Sequence, residues 1–308
     1  MPVVAGTDFL NDPSARTLFG GEFEAVFLPG RGMLGASLRH RGVELLRRVD
    51  DLETAATKGS TAGIPLLHPW ANRLAGPRYR AAGREVVLDP SSPLLHLDEH
   101  GLPMHGVPWS LLAWEVTDAR PDRLTAHLDW ARPSLLAIFP FPHRLEITAT
   151  LDVHGLTLDT TLSAAPQGPV PVSFGFHPYF GIADLRRAEW RLTLPAMRRL
   201  RLDSQGIPSG EVEPFEPFDA NLGDLGFDDG FALQDERPSF SLTGRGMRVR
   251  IDFLTGYRYA QVFAPTGKNF VAIEPMTAPT NALTHGRGLE VVPPGGRFHA
   301  AFCVRVDA

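Results

Sequence analysis

The chain has 308 residues, 43% hydrophobic and 21% charged, with a formal net charge of −5 and a single cysteine. A core of good size can form, while mild acidity without a long basic run argues against nucleic acid or an anionic membrane as the main partner. Cys303 alone allows neither an internal disulfide nor a thiolate metal cage. There is no apolar run of the roughly 18 residues that a membrane span needs. No charged segment followed by an apolar one opens the sequence, so a cytoplasmic protein is expected.

Hydrophobic residues recur with a period of two almost throughout. Strand-like runs are read at residues 22–28, 33–39, 124–130, 170–176, 189–194, 247–254, 259–263, 270–274 and 297–306. The clearest pattern lies between Leu145 and Leu162, where apolar parity switches across His154-Gly155. A two-residue turn there predicts a hairpin pairing Val153 with Leu156 and Leu151 with Leu158. Cys303 falls in the last alternating run and reads as a packed thiol. Helical stripes are scarce, and the 30 glycines and 28 prolines are spread between strands and not pooled in a linker. The expectation is one all-β domain over residues 1–308, a large antiparallel β-sandwich.

Two motifs resemble known sites without the context those sites need. Gly30-Arg-Gly-Met-Leu-Gly35 matches a dinucleotide fingerprint, but no helix pattern follows it and no βαβ unit surrounds it, so it reads as a turn. His96-Leu-Asp-Glu-His100 matches an inverted zinc-protease motif, which works only on a helix. Pro93 before it and Gly101-Leu-Pro103 after it leave room only for a loop, so no metal is expected.

Other segments place polar residues where their neighbourhood is apolar. In Phe174-Gly-Phe-His-Pro-Tyr-Phe180 a lone histidine, His177, sits among aromatics. It is the one side-chain type whose unperturbed pKa lies near neutrality. Phe270-Val-Ala-Ile-Glu-Pro-Met276 carries a carboxylate, Glu274, in an apolar strand. Both ionisable residues precede proline, which holds their backbones extended. Asn72 and Arg73 follow the proline-pinned run from Gly63, His105 lies beside Gly106, and Asp228 lies in Gly226-Phe-Asp-Asp-Gly-Phe231. His68 also precedes proline but reads as structural.

Taken together, these segments resemble the aldose 1-epimerase (galactose mutarotase) family. The resemblance rests on Pro69-Trp-Ala-Asn-Arg73, His105-Gly106, Gly175-Phe-His-Pro-Tyr-Phe180 and Ile273-Glu-Pro275, and spans nearly the whole chain. It implies a galactose-mutarotase-like supersandwich with an open sugar cleft, no cofactor, and a monosaccharide partner bound by a monomer or homodimer. It further implies His177 as general acid and Glu274 as general base. Asn72, Arg73, His105, Asp228 and Gln261 would contact the sugar. Two departures bear on the substrate: Val107-Pro-Trp109 replaces a longer glycine-rich stretch, and the segment from Gln261 to Glu274 is short.

The chemistry needs those residue types. Swapping anomers takes a proton from the C1 hydroxyl and gives one to the ring oxygen, and closure of the opened ring reverses both transfers. A carboxylate ionised at its ordinary pKa near 4 would accept. A histidine raised by nearby negative charge would donate. Trp70, Trp109, Phe176 and Tyr179 are candidate stacking faces for the sugar. A hexose-6-phosphate mutarotase would need arginines at the cleft rim, for which Arg78, Arg80 and Arg144 are candidates. A non-catalytic sugar-binding protein would not need the acid–base pair.

Overall fold

A computed structural model describes residues 11–47, 61–182 and 185–307, and antiparallel strands account for most of them. Among the described residues, one sheet has nine strands in the order Glu115–Arg120, Arg123–Trp130, His143–Asp152, Gly155–Ala164, Arg297–Asp307, Met247–Thr255, Ser239–Gly244, Arg191–Leu194 and Phe218–Asn221. A second sheet runs Pro208–Phe215, Met197–Leu202, Phe227–Leu233, Tyr259–Ala264 and Val271–Met276. It ends with the short pieces Gly175–Phe176 and Tyr179–Phe180, both on Val271–Met276, and with Leu66–Leu67. A four-stranded sheet, Arg16–Gly20 to Val43–Glu44, completes the main layers.

Alternation explains the layering. In Gly155–Ala164 the inward Leu156, Leu158 and Leu162 are fully buried, while Thr157, Asp159, Thr161 and Ser163 face outward and are less buried. Aromatic rings join the two large sheets, with Phe176 against Phe302 at 5.3 Å and Phe174 against Phe298 at 6.1 Å between centroids. Each such side chain contributes about 1.5–3 kcal/mol on burial, and the rings belong to the large core that the sheets enclose. Cys303 is buried within Arg297–Asp307. Helices are short, at Pro133–Ile138 and Ala282–His285. Among the described residues no helix is long and apolar enough to cross a membrane.

Several expected elements shift. The hairpin register pairs Leu151 with Leu156 and Asp152 with Gly155, so the turn is Val153-His154. Asp152 decides this, since its carboxylate accepts from the backbone N–H groups of His154 (2.7 Å) and Gly155 (3.2 Å). Val153 is left exposed at the tip, and a shift of two residues keeps the leucines on the core face. The run at 170–176 divides, with Val170–Val172 pairing with Glu290–Val292 and Gly175–Phe176 joining the second sheet. Residues 187–189 form a 3₁₀ turn before the strand Arg191–Leu194. The strand Pro208–Phe215, rich in proline and glutamate, did not read as one. It forms the edge of its sheet, where missing donors and charges are tolerated. Pro29–Arg31 is a 3₁₀ turn and no helix opens at the glycines, while His96–Leu97 is a short strand entering a turn.

His68 proves structural, paired with a second buried histidine. His143 Nδ1 donates to Phe141 O (2.6 Å), so its Nε2 accepts from His68 Nε2–H at 3.0 Å. Burial pushes the His143 pKa down to about 4 and that of His68 well below its ordinary value. An unfolded histidine binds its proton near 6.5, so between pH 6.5 and 4 the unfolded chain holds more protons than the folded one. Stability is therefore expected to be complete above pH 6.5 and to fall as the pH drops towards 4, by about 3 kcal/mol for His143 alone. Urea midpoints at pH 7, 5.5 and 4.5, as on-scale reference points, should show the loss, and His143→Gln should lessen it.

Candidate active site

Register brings the two ionisable residues together. Gly175 pairs with Met276 and Tyr179 with Ala272, so on these antiparallel strands His177 lies directly opposite Glu274. Pro178 and Pro275, which lack N–H groups, interrupt the ladder around the pair. On the other side Gln261 pairs with Glu274. All three side chains project from the face of the sheet opposite to Val262 and Ile273, which point into the core.

His177 Nε2 and Glu274 Oε1 are 3.1 Å apart, with side-chain exposures of only 6% and 2%. The residues around Glu274 explain its burial. One apolar group, Tyr179, Phe270, Ala272 and Phe263, lies to one side along the strand, and another, Leu67, Ala71, Met276 and Tyr259, to the other. Burial first, and then Asp228, pushes the Glu274 pKa well above the ordinary carboxylate range, against the opposing charge of Arg73. Burial first, and then His105, pushes that of His177 well down. Both directions reverse the sequence-based expectation of an ordinary carboxylate and a raised histidine. Removal from water disfavours the charged form of each group, and here it outweighs their mutual attraction.

Beside the pair, Gln261 Nε2 donates to Asp228 Oδ1 at 2.7 Å, which places Asp228 and not Asp229 in the cleft. Asp229 turns towards Arg199 instead, at 3.4 Å. His105 sits with its ring 5.6 Å from that of His177. Its Nδ1 accepts from the Asn72 backbone N–H (3.2 Å), and the His105 backbone N–H donates to Asn72 O (2.8 Å). Nδ1 being an acceptor, the proton of neutral His105 is on Nε2. Burial, with Arg73 and His96 nearby, lowers its pKa to about 3, so it is a neutral donor at working pH. Asn72 and His105 both adopt left-handed backbone, φ 59° and 61°, a conformation concentrated at functional sites. The Asn72 side chain is buried and its Oδ1 accepts from Arg73 Nη1 at 3.4 Å.

Two residues that sequence reasoning missed hold this arrangement. Asp98, inside the rejected metal motif, accepts from Arg73 Nε at 2.6 Å and from the backbone N–H groups of His100 and Leu102. Its carboxylate is both the turn's cap and the clamp on Arg73, and nothing local in the sequence links it to a residue so far back. Arg47 places its Cζ 5.6 Å from the ring centre of Tyr179 and 4.8 Å from that of Phe270. Tyr179 itself is no sugar platform. Its ring stacks on His177 at 4.1 Å and 9°, so its hydroxyl meets Nε2 from the imidazole face (3.0 Å) and leaves the in-plane direction to Glu274. The hydroxyl also bonds Thr61 Oγ1. Trp70, Trp109 and Phe176 are core residues, and the less buried Phe263 borders His177 instead. Of the arginines considered for a phosphate, Arg144 forms a two-point pair with Asp129 on the nine-stranded sheet, and Arg78 pairs with Glu85.

Asp98→Asn is expected to remove the close, buried partner of Arg73, leaving only the exposed Glu99 at 3.6 Å, and to lower kcat/KM on any sugar that Arg73 holds about tenfold. Steady-state kinetics beside a urea melt would separate this from a loss of folding.

Among the described residues no group of three or more histidine, cysteine or acidic side chains is arranged to hold a metal ion. The site atoms Glu274 Oε2 and Gln261 Oε1 are buried and have no hydrogen-bond partner among the described residues, which suits them to a polar ligand.

The fold and cleft define a galactose mutarotase-like β-sandwich. The structure matches a galactose mutarotase-like protein from Clostridium acetobutylicum with a TM-score of 0.82 at 18% identity over 94% of each chain. It matches galactose 1-epimerase from Lactobacillus acidophilus NCFM at 0.74 and 14%, over 94% of this chain and 93% of that one. In sequence it is 24% identical over 258 residues to the uncharacterized protein YihR of Escherichia coli (strain K12), covering 78% of this chain and 79% of that protein. Residues 34–302 match the aldose 1-epimerase family, and the chain belongs to it.

Proposed function

We propose that the protein is a cofactor-independent mutarotase that interconverts the α and β anomers of a free aldose, with His177 as acid and Glu274 as base. The observation that carries this reading is the cross-strand pair itself, 3.1 Å apart and almost wholly buried. The ring oxygen and the C1 hydroxyl are bonded to one carbon, so acid and base must act from adjacent positions.

The pair works when it holds one proton. Glu274 takes the proton of the C1 hydroxyl while His177 gives one to the ring oxygen, and the C1–ring oxygen bond breaks. The pair has then passed from imidazolium and carboxylate to neutral imidazole and carboxylic acid. After rotation about C1–C2 the carbonyl carbon presents its other face, and reclosure reverses both transfers. A catalyst running both ways needs these two proton placements close in energy. In water imidazolium with carboxylate is favoured; burial raises Glu274 and lowers His177, which narrows the gap. In this reading His105 Nε2–H and Arg73 donate to sugar oxygens, and Asp228 and Gln261 hold hydroxyls. Asn72 acts through Arg73 and His105.

Polarimetry of freshly dissolved α-glucose and α-galactose tests the reading. The wild-type protein is expected to accelerate the approach to equilibrium in proportion to its concentration. If it adds nothing to the spontaneous rate for any common aldose or its 6-phosphate, it is not a mutarotase.

A further inference from the structure

The cross-strand row of His177, Glu274 and Gln261 continues beyond the residues assigned to chemistry. Gly230 pairs with Gln261, Leu200 lies next, and Val212 pairs with Leu200. A Cβ on Gly230 would sit 3.2 Å from Gln261 Oε1 and 3.5 Å from Leu200 Cδ1. Its backbone is not left-handed, so the strand does not demand glycine. With no side chain at Gly230, the same face of the sheet runs from Gln261 to Leu200, which lines a cavity of about 190 Å³.

That cavity is shaped from three directions. Leu200, Val212 and Ala232 form an apolar floor and Tyr259 a wall, with Arg287 and Glu211 among the polar groups. Two glycines admit its larger side chains. A Cβ on Gly210 would lie 2.9 Å from Arg287 Nη2, and one on Gly288 would lie 2.9 Å from Tyr259 Cζ. Arg287 has no acidic partner within ion-pair distance among the described residues. The Nδ1 of His285, which also lines the cavity, accepts from the Arg287 backbone N–H (3.0 Å), and its ring also bonds the Thr280 backbone, so the charged groups left to meet a ligand are Arg287 and Glu211.

An apolar floor with an aromatic wall and a few directional donors and acceptors suits a pyranose, whose C–H face packs while its hydroxyls bond. Strands in a sheet are about 4.8 Å apart, so Gly230 lies roughly 10 Å from Glu274, and a sugar held at Glu274 and Gln261 has its far end directed towards Gly230. A group attached at its far end then lies over Leu200 and Val212. We propose that this cavity is a second sugar subsite, for a glycosyl residue linked to the reacting aldose at the end away from C1. Its substrate class is the reducing end of a disaccharide or short oligosaccharide. Glu211 in the same cavity disfavours a phosphate there. Turnover of such a substrate rests on the mutarotase reading; binding in the subsite does not.

The test compares kcat/KM for mutarotation of glucose, glucose 6-phosphate, maltose, lactose and melibiose. At least one disaccharide is expected to exceed glucose, its own reducing sugar, by about tenfold, the size of one good stacking contact with its hydrogen bonds. Val212→Trp, at a part-exposed edge position, should fill the subsite and abolish that gain while leaving glucose unchanged, and Ala232→Leu should do the same from the neighbouring strand. The proposal is overturned if no disaccharide exceeds glucose, if the gain survives both variants, or if the gain belongs to glucose 6-phosphate and disappears in Arg287→Ala. Should no sugar be turned over, the mutarotase reading fails, and calorimetry decides the subsite separately. Tighter binding of a disaccharide than of glucose, lost in Val212→Trp, supports it, and equal binding overturns it.

Discussion

Glu274→Gln and His177→Asn are each expected to lower kcat for mutarotation by about 10²–10⁴-fold, the contribution of one positioned acid or base. The double variant should lose far less than the product of the two, because either change alone leaves no partner to complete the proton exchange. Activity should follow a bell-shaped pH profile, since the pair is competent with one proton and not with none or two. Stability should move the other way. Glu274 is a buried carboxylate whose charge is disfavoured by its surroundings, so the neutral amide of Glu274→Gln should fold at least as stably as wild type. Polarimetry and urea denaturation on the same preparations check both halves. A stable variant with undiminished turnover would remove Glu274 from the mechanism.

Gly106→Ala is expected to cost about 3 kcal/mol or more of stability and most of the activity, although Gly106 touches no reacting atom. Its φ is +69°, where a side chain costs roughly 1–2 kcal/mol. An added Cβ would also overlap His68 O and come within 2.6 Å of Pro69 N. Those atoms cannot step aside cheaply. His68 bridges Gly106, the Val107 N–H donates to His68 O at 2.9 Å, and the same run continues into Asn72 and Arg73. Displacement there would move His105, Asn72 and Arg73 together. Gly101→Ala is the control: its φ is +73°, but an added Cβ meets nothing within 4 Å. It should cost only the backbone term and spare turnover.

These two predictions differ in where they could be read. Glu274 and His177 stood out in the chain as ionisable residues in apolar, proline-flanked strands, and the resemblance to the family fell on the same positions. Gly106 could be seen as a neighbour of His105, but its reason is a contact with a segment that the sequence does not place beside it. Asp98 is a sharper case. Its surroundings suggested a metal motif or a surface loop, and its partnership with Arg73 exists only because the short strands His96–Leu97 and Pro103–Met104 bring that turn over the cleft. Tyr179 shows the opposite error. An aromatic next to a site residue reads as a ligand surface, yet its ring packs against the imidazole itself.

By itself the sequence determined what local chemistry and periodicity can determine. Alternating apolar residues required strands with one buried face, glycine and proline placed the breaks, and side-chain type limited the chemistry to an imidazole with a carboxylate. Tertiary structure decided how strands distant in the chain are paired, because that register follows from the packing of whole faces and not from any one strand. It set His177 opposite Glu274 and carried the same row on to Leu200 and Val212. It also reversed the expected protonation of the pair, since a pKa depends on how much water and which charges surround a group, and those surroundings exist only once the sheets have closed.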